Sequence, residues 1–99
     1  MARRLSRAVF EPHRNSGFTV EVDGGRSVQL VLAEVTDNTP AGFPGEQFSL
    51  LFEGPADPAL TQNIFALNHE VLGRLDLFLV PIGVSGASRL YEASFSLMS

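Results

Sequence analysis

The chain contains no cysteine, no lysine and no tryptophan. Without cysteine there is no disulfide, no thiolate nucleophile and no Cys-ligated metal centre, so a small domain built on this sequence is held by packing alone. Without lysine, the seven cations are all arginines, and eleven acids outnumber them to give a formal charge of −4. No basic field exists to attract a phosphate backbone, and nucleic acid is not an expected partner. Arg3, Arg4 and Arg7 do cluster at the amino end, where they read as a solvated helix start rather than a binding arm. Long apolar runs are missing as well. The longest, 77–82, falls far short of the ~18 residues of a membrane helix, and Arg3-Arg4 is followed by no apolar signal core. Neither a membrane segment nor a signal peptide is expected, so the sequence reads as soluble and cytoplasmic by default, with export by another route left open.

What the chain does have is apolar content. Hydrophobic residues make up 44% and charged residues 18% of its 99 positions, well outside the disordered class and enough for one domain over residues 1–99. Leu5, Ala8 and Val9 recur at helical spacing until Pro12 ends the run, which predicts a short amino-terminal helix. Phe18-Thr-Val-Glu-Val22 alternates apolar and polar, Asp23-Gly24-Gly25 supplies a tight turn, and 27–36 resumes as a second strand. The stretch 36–46, with Asp37-Asn38, Pro40, Gly42, Pro44 and Gly45, is a long loop, and 47–53 is a third strand closed by Gly54-Pro55. Residues 57–73 read two ways. Asp57-Pro58 with Leu60, Ile64, Leu67 and Val71 fits a capped helix ended by Gly73, whereas Ile64 to Leu67 followed by a link 70–73 fits a β-hairpin.

Gln47-Phe-Ser-Leu-Leu-Phe-Glu-Gly-Pro55, His69-Glu-Val-Leu-Gly73, Leu77-Phe-Leu-Val-Pro-Ile-Gly83 and Tyr91-Glu-Ala-Ser-Phe95 together resemble a family of small bacterial proteins known only as a domain of unknown function. With Phe10 to Phe18 upstream, the resemblance spans nearly the whole chain. In relatives, the segment matching 62–69 is Gln-Gly-Thr-Tyr followed by an alternating run into the histidine, which implies a strand; Asn63 and Phe65 depart from that pattern here. The resemblance also implies a link to phage-tail-collar-like proteins, whose genes are often neighbours. It supplies no active site.

With 70–73 taken as the turn, residue 69 faces 74, 67 faces 76 and 65 faces 78. A further turn at 83–88 then sets 80 opposite 91. Phe65, Leu67, Phe78, Val80, Ile82, Tyr91, Ala93 and Phe95 would form the core face, leaving Leu75, Leu77 and Leu79 uncovered. The second strand repeats the problem, with Val28, Leu30 and Leu32 on one side and Val31, Ala33 and Val35 on the other. Each large side chain left exposed forgoes roughly 1.5 to 3 kcal/mol of burial, so the leucine face is expected to dock a second copy of the chain or another protein.

Motifs for chemistry are sparse. His69, Arg74 and Asp76 are expected on one face at a hairpin end, as a polar cluster that ties down a turn rather than a catalytic site. His13 and His69 are too few for a zinc site. Asp37, Asn38 and Glu46 lack calcium-loop spacing, Glu34 and Glu92 read as surface charges, the glycine pairs lack phosphate-loop context, and no Gly-x-Ser-x-Gly elbow exists. No cofactor is implied. The sequence therefore predicts an all-β fold, a small antiparallel barrel or two-layer sandwich of about six strands with a short amino-terminal helix. It also predicts a non-enzymatic structural or interaction module, part of a phage-tail-like or surface assembly. The alternative is a barrel binding a small hydrophobic ligand between Phe65, Phe78 and Tyr91 under the 36–46 loop. A hydrolase using His69 trails both.

Overall fold

Helical period survives for one turn at the start of the chain and is then replaced by strand alternation. In the computed structural model, which describes residues 5–98, helix α1 is Arg7–Phe10, followed by a 3-10 turn at Glu11–His13 that contains Pro12. Six strands follow: β1 Gly17–Val22, β2 Arg26–Asp37, β3 Gly45–Pro55, β4 Asn63–His69, β5 Gly73–Ser85 and β6 Ser88–Met98. They hydrogen-bond in the ring order β1-β2-β3-β6-β5-β4 to form a closed barrel, and every neighbouring pair is antiparallel. The all-β expectation holds, and the ambiguous 57–73 stretch resolves as strand β4 and its hairpin with β5. Arg3 and Arg4 lie outside the described residues.

Two three-stranded meanders, β1-β2-β3 and β4-β5-β6, are zipped edge to edge. The β3–β6 seam is long, running from Gly45↔Met98 to Pro55↔Ser88. The β1–β4 seam is short and pairs only Thr19↔Asn68 and Val20↔Leu67. The β1–β2 turn forms where expected, with Gly24 and Gly25 at positive φ.

The barrel is filled rather than hollow. Phe18, Val20, Leu30, Leu32, Leu50, Phe52, Leu67 and Leu79 are fully buried inside it. At one end Phe10 of α1 is fully buried and packs its ring 5.7 Å from Phe95 and 6.2 Å from Phe48, whose own rings stack at 4.6 Å. Toward the other end the β3–β4 connection brings in Leu60, which is buried and donates its backbone N–H to the Tyr91 hydroxyl at 2.9 Å. The amino-terminal segment, through Phe10 with Leu5 and Val9 packed on the same core, therefore plugs one end of the barrel.

A bulge explains why β2 looks apolar on both faces. In β2 the register against β3 slips between Leu32 and Glu34. Ala33 is the extra residue, so Val28, Leu30 and Leu32 face inward before it and Val35 packs on the core after it, while Val31 and Glu34 face out. Strand β2, which changes phase midway, needs two apolar sets, one for each segment, and still has only one buried face. In β5 the slip falls between Pro81 and Gly83, at Ile82, beyond the buried Leu75, Leu77 and Leu79, and residues 81–85 are exposed.

The β4–β5 register overturns the expected assignment of faces. His69 pairs with Gly73, not with Arg74, and Leu67 therefore faces Leu75 while Phe65 faces Leu77. The loop is 70–72, one residue shorter than expected, because Gly73 adopts the left-handed conformation at φ 75° and returns the chain directly into the strand. A one-residue slip exchanges every side chain between faces. Leu75, Leu77 and Leu79 are thus buried core, and Phe78 and Ile82 are half exposed on the outside. Tyr91 and Ala93 are core as expected, but their companions are the leucines; Phe65 and Phe95 are partly buried against the same core.

Candidate functional site

The expected leucine interface does not exist as a surface, and its apolar demand reappears elsewhere on the same hairpin. On β4 and β5 Ile64 and Phe78 are directly opposed across the ladder and are 65% and 50% exposed. Val80 is half-buried next along β5. Beyond it the strand runs past the barrel rim, where residues 81–85 are all exposed. Ile82, at the register slip, is 49% exposed in this projecting β5–β6 arm, and Val84, 65% exposed, pairs with Arg89 and so lies on the side of Tyr91 rather than that of Phe78. Ile64 and Phe78 on the outer face, with Ile82 at the bulge beyond them, form the candidate contact surface, whereas singly scattered apolar residues such as Val31 need no explanation. The sequence carried a signal for this arrangement. Arg74 and Asp76 alternate with Leu75 and Leu77, and the charged set marks the outer face.

The expected polar cluster also divides. Arg74 Nε and Asp76 Oδ1 form an exposed ion pair at 3.4 Å on the outer face, next to Phe78 in the strand. His69 is buried on the inner side at the opposite end from the arm and takes no part in it. Its ring instead lies 4.5 Å from that of Phe18 and 4.7 Å from that of His13, in both cases between ring centres. The two histidines, far apart in sequence, meet because the 3-10 turn at Glu11–His13 leads straight into β1, which neighbours β4. Nothing in the local sequence pattern announces that contact.

Ser16 completes the cluster. Its Oγ lies 2.9 Å from His69 Nε2, a spacing typical of a nucleophile and its base. The proton inventory runs the other way. His69 Nδ1 accepts the backbone N–H groups of Val71 at 3.0 Å and Leu72 at 3.1 Å, so the neutral ring carries its hydrogen on Nε2. That hydrogen points at Ser16, whose hydroxyl in turn donates to the His13 carbonyl. In this state the imidazole has no free lone pair with which to activate Ser16. Burial lowers the His69 pKa, the nearby His13 lowers it further, and Glu70 opposes both. The assembly is a structural tie between the 70–72 turn, the amino-terminal segment and the barrel.

Other candidates resolve into local structure. Asp37 Oδ1 accepts the Thr39 N–H, and hydrogen bonds from Thr39 hold the carboxyl below its ordinary pKa. Asn38 donates to Ser49 Oγ. Glu46 accepts the Arg7 backbone N–H at 2.7 Å, anchoring the start of α1 to the base of the 38–44 loop. Among the described residues no group of three or more metal-ligating side chains is placed to hold an ion. Phe65, Phe78 and Tyr91 do not share a cavity: Tyr91 is packed in the core and Phe78 points outward, so the lining expected for a ligand-binding barrel is not formed. No helix among the described residues is long and apolar enough to cross a membrane.

Known proteins add a family without a function. No curated protein and no solved structure matches the chain significantly. Residues 5–95 match the family model described as a domain of unknown function, DUF6916, and the chain belongs to that family.

Proposed function

We propose that this chain is a non-catalytic protein-interaction module that assembles with copies of itself through the outer face of the β4–β5 hairpin, as a building block of a larger tail-like or surface structure. The observation that carries the reading is the exposed apolar set Ile64, Phe78 and Ile82 on a barrel whose interior is already filled. A packed barrel gains little for its own stability from the exposed half of these side chains, and water-exposed area of this kind is characteristic of a contact surface. A second copy suits the patch because the exposed Arg74–Asp76 pair beside it carries both charge signs, so a two-fold contact meets no net repulsion. The resemblance to proteins encoded beside tail-collar-like genes favours an assembly of that type.

Analytical ultracentrifugation from micromolar to near-millimolar protein tests this directly. The expected result is a concentration-dependent rise in mass above 10.7 kDa, abolished by Phe78→Asp with Ile82→Asp while the circular dichroism spectrum stays native. A wild-type protein that remains monomeric over the whole range rules out self-assembly.

A further inference from the structure

The barrel closes completely along β3–β6 and only partly along β1–β4. Strand β4 pairs with β5 from Asn63 to His69, yet with β1 only at Leu67 and Asn68. Residues 63–66 are thus laddered on one side and open on the other, and β1 runs on to Val22 without a β4 partner. The seam parts into a cleft of about 390 Å³ lined by Glu21, Val22, Thr61, Asn63, Ile64 and Phe65, among others. A second cleft of about 240 Å³, walled by Pro58, Leu60 and Arg26, shares Val22 and Phe65 with it.

The open edge also carries a side-chain substitute for a missing strand. The Ile64 backbone N–H is satisfied by Asn63 Oδ1 at 2.8 Å, not by a neighbouring chain. Alternate residues of a strand turn their backbone groups to the same edge, so Ala66 shares the edge of Ile64. An exposed row of backbone donors and acceptors selects one class of ligand, an extended polypeptide, because only another strand matches its spacing.

We propose that the β4 edge at residues 63–66 is a strand-addition site that receives an extended, apolar segment of a partner protein. About four residues of the segment, ~13 Å at 3.3 Å per residue, fill the gap. Side chains turned inward rest against Val22, Leu60 and Phe65, and those turned outward lie beside Ile64. The Asn63 amide is displaced when the strand enters. This site adjoins the Phe78 and Ile82 contact and shares Ile64 with it, but it is carried by the backbone edge of β4 rather than by the outer side chains of β5.

The test uses a blocked hexapeptide, Thr-Val-Thr-Val-Thr-Val, and its fully N-methylated counterpart, which cannot form a ladder. With the first peptide at millimolar concentration, the Ile64 and Ala66 amides are expected to exchange with deuterium severalfold more slowly; with the second they are unchanged. Asn63→Ala, at an exposed position, removes the substitute and is expected to tighten peptide binding severalfold. Absence of protection at both amides overturns the proposal, as does protection confined to Phe78 and Ile82. Phe78→Asp leaves edge binding intact, so the self-assembly contact and the edge site can fail independently.

Discussion

At His69 a single buried imidazole ties three parts of the chain together, and its chemistry depends on which nitrogen carries the proton. Protonating Nδ1 breaks its hydrogen bonds from Val71 and Leu72 and places a cation beside His13 and Phe18. Its folded pKa lies below the ordinary 6.5, first because of burial and then because of His13. The unfolded chain therefore takes up a proton in the window just below 6.5 while the folded chain does not. The stabilisation from this group is complete above the unfolded value and is lost as pH falls through the folded one. Urea denaturation between neutral and mildly acidic pH should show stability falling with acidification, and the fall should be shallower in His69→Gln. At neutral pH, His69→Ala leaves two backbone donors without their acceptor and is expected to cost about 1 to 3 kcal/mol, read from the same curves. The sequence placed His69 in a structural role; its true partners, Ser16 and His13, were invisible because only the closed barrel brings their segments to it.

Among the elements, β5 is the most informative, because one residue of register decides which of its faces is core. Leu79 is fully buried and Phe78 is half exposed. Leu79→Ala should then cost about 2 to 5 kcal/mol in chemical denaturation, as core truncations do. Phe78→Ala should cost well under half as much. The reverse order would restore the register first expected from the turn. Strand β3 offers a second test. A Cβ built at Gly45 collides with the backbone carbonyl oxygen of Leu97 on β6, a contact that no side-chain rotation relieves. Gly45→Ala should destabilise by about 1 to 3 kcal/mol, measured by thermal melting, where an ordinary surface change stays within about half a kcal/mol. In β2 and β5 the alternation of residue types was legible. The phase changes at Ala33 and Ile82 were not, because a bulge is set by how neighbouring strands twist past each other.

Over the whole molecule, stability rests on a filled barrel plugged by Phe10 at one end and capped toward the other by Leu60 under Tyr91. Phe10→Ala removes a ring that contacts both Phe48 and Phe95 and should cost about 3 to 5 kcal/mol, with the melting transition remaining a single cooperative step. The amino-acid sequence by itself determined the class of the molecule. Its alternating runs, its glycine-rich turn at Asp23–Gly25 and its lack of cysteine and lysine require a disulfide-free, packed antiparallel β domain with a short amino-terminal helical turn. The location of the exposed apolar surface was decided only by tertiary structure. Local pattern shows that a strand has two apolar sets, but a three-residue loop at 70–72 for β5 and a bulge at Ala33 for β2 choose which set the barrel encloses. Those choices follow from closure of the ring, a global condition that no short window of sequence contains. They moved the candidate contact from Leu75, Leu77 and Leu79 to Ile64, Phe78 and Ile82.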